Sequence, residues 1–226
     1  MLGILILAAI GCETTAYFTR NKDTTSKVDS VESALAAIRE SRDPGLRRAA
    51  FEFLGETKHL HGDAAERDEI SGILALAYSV EADVQTRIAI LGSVARLESP
   101  KRVEVFIQAA ADKDPSVRMA SCRHLGHVAS PQAAAQLDQL LVSDTNIDVR
   151  LAAADALGKI STRESAMSLL GGIEDSDVAL RYRCRESLKQ ITGKDHAGNV
   201  AEWREEIQTA NFEQPVNRNR KLDFVK

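Results

Sequence analysis

Five arginines, Arg47, Arg87, Arg118, Arg150 and Arg181, recur at intervals of 40, 31, 32 and 31 residues. Each follows an aspartate (Asp43, Asp83, Asp114, Asp148 and Asp177) by two to four positions. A guanidinium offers five N–H donors in a planar fork, so such a column can grip carboxylates and backbone carbonyls in its own and neighbouring repeats. The same column could instead present a line of cations to an acidic partner; its place beside successive helix starts favours the structural use. His124 and His127, with Cys122 nearby, have a spacing that can put metal ligands on one surface. Register argues otherwise. His124 shares its slot with Phe53, Ser93, Ala156 and Ser187, and His127 shares its slot with Glu56, Arg96, Lys159 and Gln190. No carboxylate completes a metal motif, and His59 and His61 are similarly weak, so no cofactor is expected. The chain shows no Gly-rich phosphate loop, nucleophile elbow or Ser/His/Asp set beyond what the repeats explain, and it reads as non-catalytic.

The elements that position these residues are predicted helices. In Asp114-Pro-Ser-Val-Arg-Met-Ala-Ser-Cys-Arg-His-Leu-Gly126, Asp114 can cap the free N–H groups and Pro115 suits the first turn. Val117, Ala120, Ser121, Leu125 and Val128 then form a small-to-apolar face at helical spacing. The unit returns at Ile147–Gly158, Asp177–Leu188 and Asp43–Gly55, and more loosely at Asp83–Gly92. Outer helices precede these units, marked by Val31, Leu35 and Ile38, by Ile70 to Val80, by Val103, Phe106 and Ile107, by Ala134, Leu137 and Leu141, and by Ala166, Leu169 and Ile173. Residues 57–68 read as a loop that lengthens the first interval. Two short helices plus turns account for a period near 31, the signature of a solenoid. The fold class expected is an all-α solenoid of about five helix pairs over residues 28–192.

The Asp-x-x-Val-Arg-x-x-Ala-x-x-x-Leu-Gly pattern resembles the short HEAT-like repeat, the type also found in phycobilin lyase subunits. Copies at Asp114–Val128 and Ile147–Ile160 match best; the copy at Asp83 has Thr86 before its arginine. The resemblance implies a concave wall of inner helices in which the slot after each column arginine is polar. Here that slot holds Arg48, Ile88, Met119, Leu151 and Tyr182. Four apolar residues in register imply a stripe, flanked by Arg123, Asp155 and Glu186, that either holds a protein or peptide partner or packs between helices or under the tail. HEAT repeats also build an iron-dependent hydroxylase that uses His-Glu dipeptides, and this chain has none. An enzyme-assembly subunit of the lyase type is the alternative.

The 226 residues are 44% hydrophobic but 4% aromatic, which suits helices packed through small side chains. Twenty-nine basic against 33 acidic residues leave a net charge of −4, so nucleic acid is not an expected partner. Residues 1–12 differ from the rest. Leu2 to Ile10 is an apolar run shorter than the roughly 20 residues a spanning helix needs. Ala-Ile-Gly-Cys12 resembles a bacterial lipobox, departing from it at Ala9, and implies lipidation of Cys12. That resemblance, shared with small bacterial HEAT-repeat lipoproteins, implies a protein of the cell envelope, anchored to a membrane and facing the periplasm or exterior; a cytoplasmic protein is the alternative. Residues 13–27 read as a flexible tether. Residues 193–210 read as a closing helix, with Val200, Trp203 and Ile207 on one side, and 211–226 as a disordered tail.

Overall fold

The computed structural model describes residues 28–56, 64–210 and 212. Among the described residues it contains eleven α-helices and no strand: α1 (Val31–Glu40), α2 (Pro44–Leu54), α3 (Ala64–Val80), α4 (Val84–Leu97), α5 (Arg102–Ala110), α6 (Pro115–Val128), α7 (Pro131–Ser143), α8 (Ile147–Ile160), α9 (Arg163–Gly172), α10 (Val178–Thr192) and α11 (Val200–Thr209). The chain divides into two compact units, residues 1–120 and 121–226. In the first, α1 packs on α2, α3 on α4, and α2 on α4. In the second, α7 packs on α8, α9 on α10, and α8 on α10. This is an all-α array of helix pairs, of solenoid type. Residues 64–68, expected as loop, form the first turn and more of α3.

The even-numbered helices start where the sequence places caps. Asp43 Oδ1 accepts from the Gly45 N–H at 2.9 Å, Asp83 Oδ2 from Thr86 at 2.7 Å, Asp114 Oδ1 from Ser116 at 2.8 Å and Asp177 Oδ1 from Leu180 at 2.9 Å. Each cap satisfies an N–H that a helix start leaves unpaired. At α8 the reading from sequence needs correction. The cap is Asn146, whose Oδ1 takes the Asp148 and Val149 N–H groups at 2.9 and 3.2 Å, whereas Asp148 is exposed in the first turn. Asn146 stands four residues before Arg150, the spacing the other copies keep with Asp.

Small residues let successive even helices meet. A Cβ on Gly55 would lie 2.5 Å from Ser93 Cβ, one on Gly158 would lie 2.9 Å from Ser187 Cβ, and one on Gly126 would lie 3.0 Å from Ala156 Cβ. The slot shared by Ser93, Ala156 and Ser187 is thus the floor on which the preceding glycine sits. Gly92 has no such part, since its Cβ would meet only Arg96 Nη1 at 3.7 Å. In that copy the Leu-Gly ending is out of register, and Ala95 holds the position.

The second unit is closed by α11, which packs on α9. Trp203 is 0% exposed and donates its Nε1–H to Ala197 O at 3.1 Å, and Ile207 is buried beside it. Arg163, the first residue of α9, donates to Ile207 O, to Gln208 O at 3.0 Å and to Ala210 O at 3.2 Å. A cation at the carbonyl end of a helix is favourably placed, and here it also satisfies acceptors left over by the last turn. The expected signal segment and tether (1–27, with Cys12), His59 and His61, and all of the tail except Phe212 lie outside the described residues.

Candidate binding surface

The arginine column does form contacts between repeats, but not with the aspartates that cap its own helices. Arg47 sets Nε 3.1 Å from Glu81 Oε2 and Nη2 2.9 Å from Glu81 Oε1. Arg87 forks onto Asp112 at 2.9 and 3.0 Å, and Arg150 reaches Asp175 Oδ2 at 2.5 Å. Each acceptor stands in the loop that leads into the next even helix. It also accepts the N–H two residues ahead: Asp83 on Glu81, Asp114 on Asp112 and Asp177 on Asp175, each at 2.9 Å. Asp144 holds Asn146 likewise at 2.8 Å. The arginine of the same copy returns to the acid's own carbonyl, as with Arg87 to Glu81 O (3.2 Å), Arg118 to Asp112 O (2.9 Å) and Arg181 to Asp175 O (2.8 Å). One loop acid therefore joins a cap, a turn and a neighbouring helix. The column Glu81, Asp112, Asp144, Asp175 has the period of the arginines and was missed; its regular place six residues before each arginine was the available signal.

These rungs differ in burial. Arg87 is 4% exposed, and its partner Asp112 also accepts the Tyr78 hydroxyl at 2.7 Å. Burial pushes the Asp112 carboxyl up, but the Asp114 N–H, the Tyr78 hydroxyl and the Arg87 guanidinium outweigh it and hold it below the usual carboxylate range. Glu81 is likewise held low: burial opposes, and the Arg47 fork and the Asp83 N–H prevail. Asp175 is lowered by the Asp177 N–H and then by Arg150. Arg181 donates to Asp175 O and Ser176 O, and among the described residues no carboxylate pairs with it.

The slot after each arginine faces outward at the N-terminal end of its helix. In the first unit Ile88 and Met119 are half-buried and Arg48 is exposed. In the second unit Leu151 on α8 is half-buried, while Tyr182 on the adjoining α10 is 61% exposed. A second apolar row lies one helical turn earlier, at Val84, Pro115, Ile147 and Val178, and it too was missed. Val178 is 69% exposed. In the second unit Ile147, Leu151, Val178 and Tyr182 thus belong to two packed helices at i and i+4 spacing, which places each pair on one helix face. The charged margin is largely self-paired. Asp155 binds Lys159 at 2.8 Å and lies 3.6 Å from Arg183, and Glu186 lines with Asp155 and Arg183 a surface depression of about 390 Å³. Arg123 is exposed.

The histidine pair falls on unlike ground. Cys122 is fully buried, His124 half-buried and His127 exposed. Among the described residues no group of three or more His, Cys, Asp or Glu is placed to hold a metal ion, and no helix is long and apolar enough to cross a membrane.

A family model of HEAT repeats matches residues 70–146 and 135–202, more than half of the chain. The chain belongs to the HEAT-repeat family. Among solved structures, it resembles a chain of the complex of CpcE and CpcF of phycocyanin lyase from Nostoc sp. PCC7120. That likeness has 21% identity and a TM-score of 0.57, covering 80% of this chain and 71% of that one. It also resembles human deoxyhypusine hydroxylase, with 16% identity and a TM-score of 0.51, covering 73% of this chain and 74% of that one. No curated protein matches the sequence. At such identities these likenesses speak for the fold.

Proposed function

We propose that this HEAT-repeat chain is a non-catalytic scaffold that captures a protein or peptide partner on the N-terminal faces of its even helices. The observation that carries the reading is the pair Val178 and Tyr182, 69% and 61% exposed on α10 beside Leu151 on α8. A structural role would bury such side chains, and contiguous exposed apolar groups mark interaction sites. Tyrosine adds a large, rigid contact with a polar tip. The lipobox-like Ala-Ile-Gly-Cys12 supports export and lipid anchoring at Cys12, with the array held at a membrane surface of the cell envelope.

The test couples palmitate labelling of the full chain, with Cys12→Ser as control, to a pull-down from the membrane fraction using Leu151→Ser/Tyr182→Ser. The reading expects label on the native chain alone and a bound protein lost with the double variant. Equal labelling of Cys12→Ser ends the anchor, and capture unchanged in the double variant ends the proposed face.

A second reading, a subunit of an enzyme assembly, has the likeness to the lyase complex in its favour. It expects a bilin chromophore to change its absorbance on mixing with the chain, whereas the scaffold reading expects an unaltered spectrum.

A further inference from the structure

An even helix uses one row of side chains to receive its successor, and among the described residues α10 has no successor. Gly158 of α8 meets Ser187 of α10, so the row Arg150, Ala154 and Gly158, at i, i+4 and i+8, is the side of α8 turned to the next even helix. In the same register the row behind the arginine carries Phe51 and Gly55 on α2, Leu91 and Ala95 on α4, and Cys122 and Gly126 on α6. On α10 the row reads Arg181, Arg185 and Lys189. The small and apolar positions have become cations. Val178 and Tyr182, 69% and 61% exposed, stand three or four residues from members of that row and share its face. The closing helix α11 packs chiefly on α9, not on this side of α10.

Arg181 is held as the interior arginines are. Arg87 turns Nη1 to two carbonyls of its own loop and sets Nε and Nη2 on Asp112. Arg47 divides its donors in the same way between Ser41 O and Glu81. Half-buried Arg181 likewise gives Nη1 to Asp175 O at 2.8 Å and to Ser176 O at 3.0 Å. Its Nε and Nη2 meet no acceptor among the described residues. Farther along the row, Asp195 accepts the Arg185 fork and lies 3.8 Å from Lys189. One edge of a positioned guanidinium is therefore open, the edge that binds a carboxylate through two parallel N–H···O bonds.

A second copy of this chain does not supply that carboxylate by the rung used inside the array. An acid stands six residues before each later arginine, but six residues before Arg47 stands Ser41. Its hydroxyl accepts the Asp43 N–H at 3.1 Å, as the acids do in their own loops, and offers no negative charge. We infer that the open face of α10 takes an acidic, amphipathic segment of another protein, with a carboxylate on the Nε–Nη2 edge of Arg181 and apolar side chains on Val178 and Tyr182. The inference rests on the reading of Val178 and Tyr182 as a partner surface, and it names the chemistry of that partner. The occupant stands where a further even helix would stand and completes the last rung.

The test is fluorescence anisotropy of a labelled peptide of repeated Glu-Ala-Ala-Leu units, titrated with the full chain. Such a repeat sets a glutamate row beside a leucine row on one helix. A control peptide carries glutamine in place of every glutamate. The inference expects the glutamate peptide to bind, and to bind less tightly as salt is added. Arg181→Gln should weaken it about tenfold, the loss of one charge-assisted fork. Equal binding of the two peptides, or unchanged binding to Arg181→Gln, overturns the inference. If Tyr182→Ser then still weakens both peptides, the partner face stands and only its acidic chemistry falls. Absence of binding by the glutamate peptide also overturns it. So does a tighter, Arg181-dependent binding of a single-stranded oligonucleotide, which would assign the face to nucleic acid. Circular dichroism reports whether each variant keeps its helices. Should Arg181→Gln lose them, Lys189→Gln, at an exposed side chain, carries the same comparison with a smaller expected loss.

Discussion

The rung at Arg87 and the column position at Arg181 carry the same side chain in the same register, yet they live in different surroundings. Arg87 is sealed, forked onto Asp112 and shielded with Tyr78. Among the described residues Arg181 reaches the carbonyls of its own loop and no carboxylate, because the acid of the loop that follows, Asp195, is taken by Arg185. The chain then solves the end of the array by other means. Arg185 grips Asp195 at 2.6 and 2.8 Å, and Trp203 closes the apolar face that a further repeat would have covered. An interior repeat is thus held by its successor, and the terminal one by a dedicated segment.

Variants can break this contrast. Arg87→Ala leaves Asp112 buried without its cation and should cost about 3–5 kcal/mol in denaturant unfolding, the range for removing one partner of a buried pair. Trp203→Ala should cost a similar 3–5 kcal/mol, with the loss confined to the second unit in hydrogen exchange. Gly158→Ala must displace Ser187, whose Cβ would stand 2.9 Å from the new methyl, and should cost about 1–3 kcal/mol. Arg181→Ala should shift stability by no more than about 0.5 kcal/mol, as for an ordinary surface change. A loss there as large as at Arg87 would erase the distinction.

Acidity sharpens the same comparison. Asp112, Glu81 and Asp175 are all held below their ordinary values in the folded chain. Such groups contribute stability that is present above the unfolded carboxylate range, about pH 4, and that is lost as pH falls through the folded values. Urea midpoints should therefore decline below about pH 4, and Asp112→Asn should flatten part of that decline while lowering stability near neutrality.

Much of the fold was legible because repetition turns a weak local signal into a strong one. Val117, Leu125 and the Asp-Pro start of α6 say little alone, but four further copies fix the period. The errors arose where a copy departs locally from the pattern. Asn146 replaces the capping aspartate, Gly92 imitates a packing glycine, and the first turn of α3 lacks the apolar spacing that reveals the rest of that helix. The candidate surface was only half legible. Ile88, Met119, Leu151 and Tyr182 stood out against the family pattern, whereas Val84, Pro115, Ile147 and Val178 are ordinary residues for a first helical turn. Only structure shows that Val178 stays exposed. The acids that receive Arg47, Arg87 and Arg150 lie 34, 25 and 25 residues away in sequence, and pairing across that distance is a property of stacking rather than of local pattern.

The central claim is that Arg47, Arg87 and Arg150 are each held by the acid of the following loop. A double-mutant cycle on Arg87→Ala and Asp112→Ala, read by urea unfolding, tests it most directly. The account predicts a coupling of about 2–3 kcal/mol between the two positions, within the range for a buried charged pair in contact. Additive effects, with coupling under about 0.5 kcal/mol, would contradict it.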